Sequence, residues 1–228
     1  MKILVIDIGG THVKIYATGH VDGIKIPSAP TLTPKKMVKG VSEATGGWNY
    51  SVVSIGYPGP VVHGKPQHDP ANLGSGWVGF DFAKAFGCPV KIINDAAMQA
   101  LGSYRGGRML FLGLGTGLGS ALIVDGVLEP MELAHLPYKH GRSFEEHVGA
   151  AALKRLGGKK WTKAVNDVVA QLKNALQVDY VVLGGGNAKR LNTLPPGTFA
   201  GDNTNAREGG FRLWHSETQR KALAAAGD

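Results

Sequence analysis

Cysteine is almost absent from this chain: Cys88 is the only one in 228 residues. A lone thiol closes no internal disulfide and leaves a zinc site without thiolate partners, which fits a reducing cytoplasm and argues against structural zinc. Long apolar runs are missing too. No stretch reaches the roughly 18 residues that would suggest a bilayer span, and the apolar run after Lys2 stops at Asp7, too short for a signal segment. Neither membrane insertion nor export is expected. Aromatics are only 7% of the residues. They are not interleaved with basic residues, and no helix-turn-helix pattern is evident, so nucleic acid is not the expected partner. Acidic residues are the scarcer sign of charge, 17 against 25 Lys and Arg, for a net charge of +8. That field favours anions such as nucleotides, polyphosphate or nucleic acid, and names a ligand class only. Lysine clusters at Lys35, Lys36 and Lys39 and from Lys154 to Lys163 read first as solvated helix faces.

Glycine, by contrast, is plentiful, and two glycine-threonine turns stand out. Asp7-Ile8-Gly9-Gly10-Thr11 and Gly113-Leu114-Gly115-Thr116-Gly117-Leu118-Gly119 each follow a short apolar run and lie about half a chain apart. A backbone that must approach phosphate oxygens closely needs residues without side chains. The first turn sits between a strand over residues 2–8 and a hairpin partner at Val13 to Ala17, unlike a Walker loop or a dinucleotide fingerprint, which run from strand into helix. A helix is predicted over 33–45 behind Thr33-Pro34, then a strand from Val52 to Ile55 entering Gly56-Tyr57-Pro58-Gly59-Pro60.

Residues 61–79 read as a long loop. A short helix over 81–86 and a strand over 90–93 follow, with Asn94-Asp95 at the strand's C-terminal end before a helix from Ala96 to Tyr104. A carboxylate there can face a ligand, and either residue can instead cap the helix. Strands at 109–112 and 120–124 flank the second turn. Helices are predicted at about 143–156 and 162–177, a strand at 180–183 ending in Gly184-Gly185-Gly186, a polar loop over 195–210 and a final Ala-rich helix. Phe211 and Trp214 are expected to cap a sheet. The repeated order indicates a duplicated α/β protein, divided at residues 1–97 and 98–228.

In this combination the chain resembles the ROK family of actin-like sugar kinases, and within it the polyphosphate glucokinase-like branch, over about residues 1–190. The resemblance rests on the two turns, on Gly184-Gly185-Gly186-Asn187, Gly56-Tyr57-Pro58-Gly59, Asn72-Leu73, Trp77 and Asn94-Asp95-Ala96, and on Glu132-Leu133-Ala134-His135, where Ala134 stands at a position usually glycine. It implies an actin-like (ribonuclease H-like) two-lobed fold with mixed sheets and a central cleft, the N-terminal lobe joined by the C-terminal helix. It implies Asp95 as general base, and Gly59, Asn72, Asn94, Asp95, Glu132, His135 and Glu145 as sugar-binding residues, Glu146 being a competing register for Glu145.

The phosphoryl donor, ATP or inorganic polyphosphate, would lie against Asp7, Gly9, Gly10, Thr11, Lys14, Gly115, Thr116, Gly117, Gly184, Gly185, Gly186 and Asn187. Mg²⁺ would be anchored through water by Asp7. The implied activity is a glucokinase acting on the sugar's 6-hydroxyl; the alternatives are another hexose or N-acetylhexosamine, or a non-catalytic sensor. Dimers are common in the family, so the resemblance extends to a homodimer. Leu136 to Arg142 lacks the cysteines of the zinc loop that many members carry, and the DNA-binding segment of repressor members is not expected here. His135, His140 and His147 lack the tightly spaced thiolates or carboxylates of a metal site.

Overall fold

The computed structural model describes residues 1–202 and 204–216. The Ala-rich stretch read as a final helix lies outside them from residue 217 on. Two compact units emerge: Met1–Met98 with Ala206–Trp214, and Gln99–Asn205 with His215 and Ser216.

In the first unit, β1 (Ile3–Ile8) is buried along its whole length and pairs antiparallel with β2 (His12–Ala17), which pairs in turn with β3 (Ile24–Pro27). Helix α1 (Pro34–Ala44) follows, its N-terminus capped by the Thr33 hydroxyl and started by a proline whose missing N–H costs nothing there. β4 (Val52–Tyr57) pairs parallel with β1. Near-continuous apolar sequence in β1 and β4 reflects burial on both faces. The loop beyond β4 carries a small ribbon of β5 (Val61–Val62) and β6 (Lys65–Pro66), then α2 (Phe82–Phe86) capped by Asp81. β7 (Val90–Asn94) pairs parallel with β4, and α3 (Asp95–Ser103) begins directly at its end. The sheet order is β3-β2-β1-β4-β7.

The second unit repeats this plan. β8 (Arg108–Leu114), β9 (Leu118–Val124) and β10 (Val127–Met131) form an antiparallel meander. Helices α4 (Glu145–Val148) and α5 (Ala150–Leu176) lead to β11 (Tyr180–Gly184), parallel to β8, and β12 (Thr198–Ala200) closes the order β10-β9-β8-β11-β12. Trp161, Val165, Val168, Val169 and Leu172 of α5 bury a stripe of helical period against Leu110, Leu112 and Leu183.

Where sequence suggested two helices separated near residues 157–161, the chain breaks only at Gly157 (φ 73°, ψ 160°), a backbone region open to glycine. Helix resumes at once, because Trp161 must stay in register to bury its ring and donate its indole N–H to Val148 O at 2.8 Å. Strands β3, β10 and β12 are further additions to the elements expected from sequence. Each is short and covered on only one side, so none carries the dense apolar signature of a central strand.

The chain returns to the first unit with α6 (Asn205–Arg212), which starts within the stretch read as loop. Phe211 and Trp214 pack on Ile3, Val5, Val52 and Met98, the capping role expected of them. Buried Ser54 donates to Gly210 O at 2.6 Å and accepts the Trp214 indole N–H at 2.9 Å.

Candidate active site

The first glycine turn joins β1 to β2, and the second occupies the same position between β8 and β9. In the first, Gly9 N–H donates to His12 O at 3.0 Å, and a Cβ at Gly9 would press on that same carbonyl. Space around Gly10 is open for a ligand. Asp7 and Lys14 are direct cross-strand partners, and the Lys14 ammonium meets Asp7 Oδ2 at 3.1 Å. Burial, the largest influence on Lys14, pulls its pKa down, but the charge and hydrogen bond of Asp7, with smaller help from Tyr16 and Asp95, raise it above its ordinary value. Asp7, Lys14 and Asp95 therefore share one electrostatic neighbourhood.

Asn94 ends β7 as a strut. Its Nδ2 donates to Gly59 O at 3.1 Å, and its Oδ1 accepts the N–H groups of Ala96 at 2.8 Å and Ala97 at 3.3 Å, so it caps α3 while tying down the Tyr57-Pro58-Gly59 loop. Asp95 Oδ1 also receives the Ala96 N–H at 2.8 Å. The half-buried Asp95 carboxylate thus stands at a strand end and a helix N-terminus.

Sequence reasoning missed the residue that orders the loop bearing Asn72. Asp69 accepts the N–H groups of Trp77 at 2.8 Å and Gly76 at 3.2 Å, and these bonds hold its carboxyl below the ordinary range. Trp77 is fully buried and donates its indole N–H to Gly74 O, while Tyr57 donates its hydroxyl to His68 O at 2.7 Å. Burial, aided by Asp69, pushes the Tyr57 phenol well up, so it remains a donor. Asn72 itself is exposed on this braced loop. The available signal was an Asp before Pro70 in a stretch of small and polar residues.

In the second unit the structure brings four predicted pieces together. Ala150 N–H, at the start of α5, donates to Gly115 O and Thr116 O, each at 3.1 Å. Asn187 donates its backbone N–H to Leu114 O and its side-chain amide to Gly115 O, both at 2.9 Å. Gly185 (φ 81°) lies so close to Leu114 that a Cβ would strike its backbone. Glu145 accepts Leu118 N–H at 3.1 Å and fills the space a Cβ on Gly117 would need. Gly184 to Asn187 therefore braces the second turn.

Glu132 and His135 form a separate exposed pair, Oε2 to Nε2 3.9 Å, on a short 3-10 turn anchored by Ser120 Oγ, which donates to Met131 O and accepts Leu133 N–H. Ala134 is buried and keeps negative φ, so alanine meets no backbone penalty there. Glu146 accepts Ser143 N–H at 2.8 Å and serves as a local cap. Among the described residues no group of three His, Cys, Asp or Glu could hold a metal ion, and no helix is long and apolar enough to cross a membrane.

A doubled sheet with a glycine hairpin between the first two strands of each half defines an actin-like, ribonuclease H-like α/β protein. Within that class the chain belongs to the ROK family, whose profile matches residues 3–129. Polyphosphate glucokinase of Mycobacterium tuberculosis (strain CDC 1551 / Oshkosh) is 30% identical over 213 residues, covering 84% of this chain and 80% of that protein. Inorganic polyphosphate/ATP-glucomannokinase from Arthrobacter sp. strain KM superposes with a TM-score of 0.75 at 25% identity, covering 100% of this chain and 99% of the other. A ROK family glucokinase from Streptomyces griseus, solved with glucose and AMPPNP, gives 0.71 at 16% identity over 93% and 99% of the two chains; at that identity the likeness concerns the fold alone.

Proposed function

We propose that this protein is a hexose kinase, a glucokinase that transfers the terminal phosphoryl group of ATP or inorganic polyphosphate to the 6-hydroxyl of glucose. The observation that carries the reading is Asp95, set at the end of β7 beside the Asn94 strut. Asp95 takes the proton as the hydroxyl oxygen attacks the terminal phosphorus; the new P–O bond forms as the bond to the departing phosphate breaks. Gly59, Asn72, Asn94, Glu132, His135 and Glu145 are assigned to the sugar's hydroxyls, each of which must be re-paired once stripped of water. Gly9, Gly10, Thr11, Lys14, Gly115, Thr116 and Gly117 are assigned to the donor's phosphates, and Gly184, Gly185, Gly186 and Asn187 to the far side of the donor.

A lone carboxylate at the first turn, already paired with Lys14, fits a magnesium ion held through water, since Mg²⁺ keeps several of its own waters and takes donor phosphates as ligands. Mg²⁺ would supply charge neutralisation on the phosphates; Asp7 would anchor its water shell. The names of the relatives and the +8 charge support polyphosphate as a donor. A cytoplasmic setting and a homodimer belong to the same reading. A donor-by-sugar matrix tests it, crossing ATP and polyphosphate with glucose, mannose, fructose, N-acetylglucosamine and N-acetylmannosamine. Glucose 6-phosphate formed with either donor is the expected result; sugar binding without turnover of any donor would make the protein a sensor instead.

A further inference from the structure

A cavity of about 370 Å³ opens on the second unit between one face of α5 and the loop that follows Leu136. Leu156, Lys160, Lys163, Ala164 and Asp167 recur at helical spacing and line the α5 side, while Tyr138, Lys139, His140 and His147 line the other. The one carboxylate is spoken for: Asp167 Oδ2 accepts both the Tyr138 hydroxyl and the Lys139 ammonium. Lys160 and Lys163 are exposed and have no acidic partner within 4.0 Å among the described residues. Like charges three residues apart on a helix repel, so an anion seated there relieves a cost the free protein carries.

The cavity is close to the phosphate machinery by construction. Helix α4 is four residues long. Its Glu145 grips the second glycine turn at Gly117 and Leu118, and His147, two residues on, forms the cavity wall. Trp161, next to Lys160, pins α5 to Val148 at the end of α4.

We infer that this cavity is an accessory binding site for a segment of inorganic polyphosphate, holding the chain at a point beyond the glycine turns. The inference rests on reading polyphosphate as a donor. Lys160 and Lys163, with two imidazoles and the Asp167-paired Lys139 spread over such a volume, suit several phosphate groups in a row better than one. Nucleic acid is the poorer fit. Base binding needs open aromatic faces, and Tyr138, the cavity's only aromatic ring besides the two imidazoles, has Lys139 Nζ 4.8 Å above its centroid and His147 edge-on at 4.7 Å.

The test is calorimetric titration of the full-length protein, without sugar, using long-chain polyphosphate, tripolyphosphate, orthophosphate and duplex DNA. It compares the wild type with K160E/K163E and with K160Q/K163Q. Long-chain polyphosphate should bind wild type far better than orthophosphate and lose at least about tenfold in affinity on charge reversal. The slope of log K against log salt should become shallower by about 1.4 in the glutamine variant, reflecting two lost cation contacts. Both lysines are exposed, and the glutamine variant decides the matter if charge reversal impairs folding. Unchanged affinity and slope, or no binding by wild type, would overturn the site; equal binding of DNA with equal loss would make it a nucleic-acid surface. The kinase reading fails separately: glucose phosphorylation absent with every donor, alongside lysine-dependent polyphosphate binding, would remove the kinase and leave the site.

Discussion

Glu145 and Leu118 are joined across the second glycine turn, the Glu145 carboxylate accepting the Leu118 backbone N–H at 3.1 Å. Glu146, its neighbour, points its bonding to Ser143 instead. Exchange of Glu145 for glutamine should therefore raise KM for donor or sugar by about tenfold, a loss of order 1.4 kcal/mol, whereas Glu146→Gln should leave steady-state constants within about twofold. Kinetics of the two variants decide which acid belongs to the site.

Asp95→Asn removes the proton acceptor but preserves size and the bond to Ala96 N–H. The expected outcome is a fall in kcat of about 10²–10⁴ with glucose affinity and melting temperature little changed. Turnover near the wild-type rate would refute the assignment of Asp95 as base.

Gly185→Ala forces a Cβ onto the Leu114 backbone at φ 81°. Denaturant titration should show a loss of about 1–3 kcal/mol, and donor KM should rise because the second turn loses its brace. Gly10→Ala, with open space around it, should cost little stability and act on donor binding.

The Asp69 carboxyl titrates below its ordinary value because Trp77 and Gly76 donate to its ionised form. A group with a depressed folded pKa stabilises above its unfolded pKa, near 3.8, and that stabilisation is lost as pH falls through the lower folded value. Amide exchange at Gly76 and Trp77 should accelerate over that acid range. In Asp69→Asn this pH dependence should vanish, and KM for sugar should rise at all pH values as the Asn72 loop loosens.

Ser54→Ala leaves Gly210 O and the Trp214 indole N–H without their buried partner. Loss of about 1–3 kcal/mol in chemical denaturation is expected, with kcat unaffected once the protein is folded.

Much of this molecule is legible in its sequence. Largely apolar runs announce β1, β4, β8 and β11, since a strand buried on both faces takes a polar residue only where it finds a partner, as Asp7 and Ser54 do. Thr33-Pro34 announced α1 through its cap. The glycine turns stood out by composition and Asn94-Asp95 by its place at a strand end, while Glu132 to His135 was marked only by the resemblance to the ROK family. Asp69 was not, because an aspartate in a loop looks the same whether it faces solvent or orders Gly76 and Trp77.

By itself, then, the sequence indicated the duplicated α/β plan and the two glycine turns through local periodicity and residue chemistry, while the resemblance to the ROK family marked Asp95 as the candidate base. Only the tertiary structure decided that Asn94 ties Gly59 to the start of α3, that Gly184 to Asn187 braces the second turn, and that Glu145 rather than Glu146 reaches it. It alone gathered Lys139, Lys160 and Lys163 around one cavity. Those outcomes depend on which groups meet across more than twenty residues of chain, and hydrogen-bond partners at that range are set by packing of the whole unit rather than by neighbours in sequence.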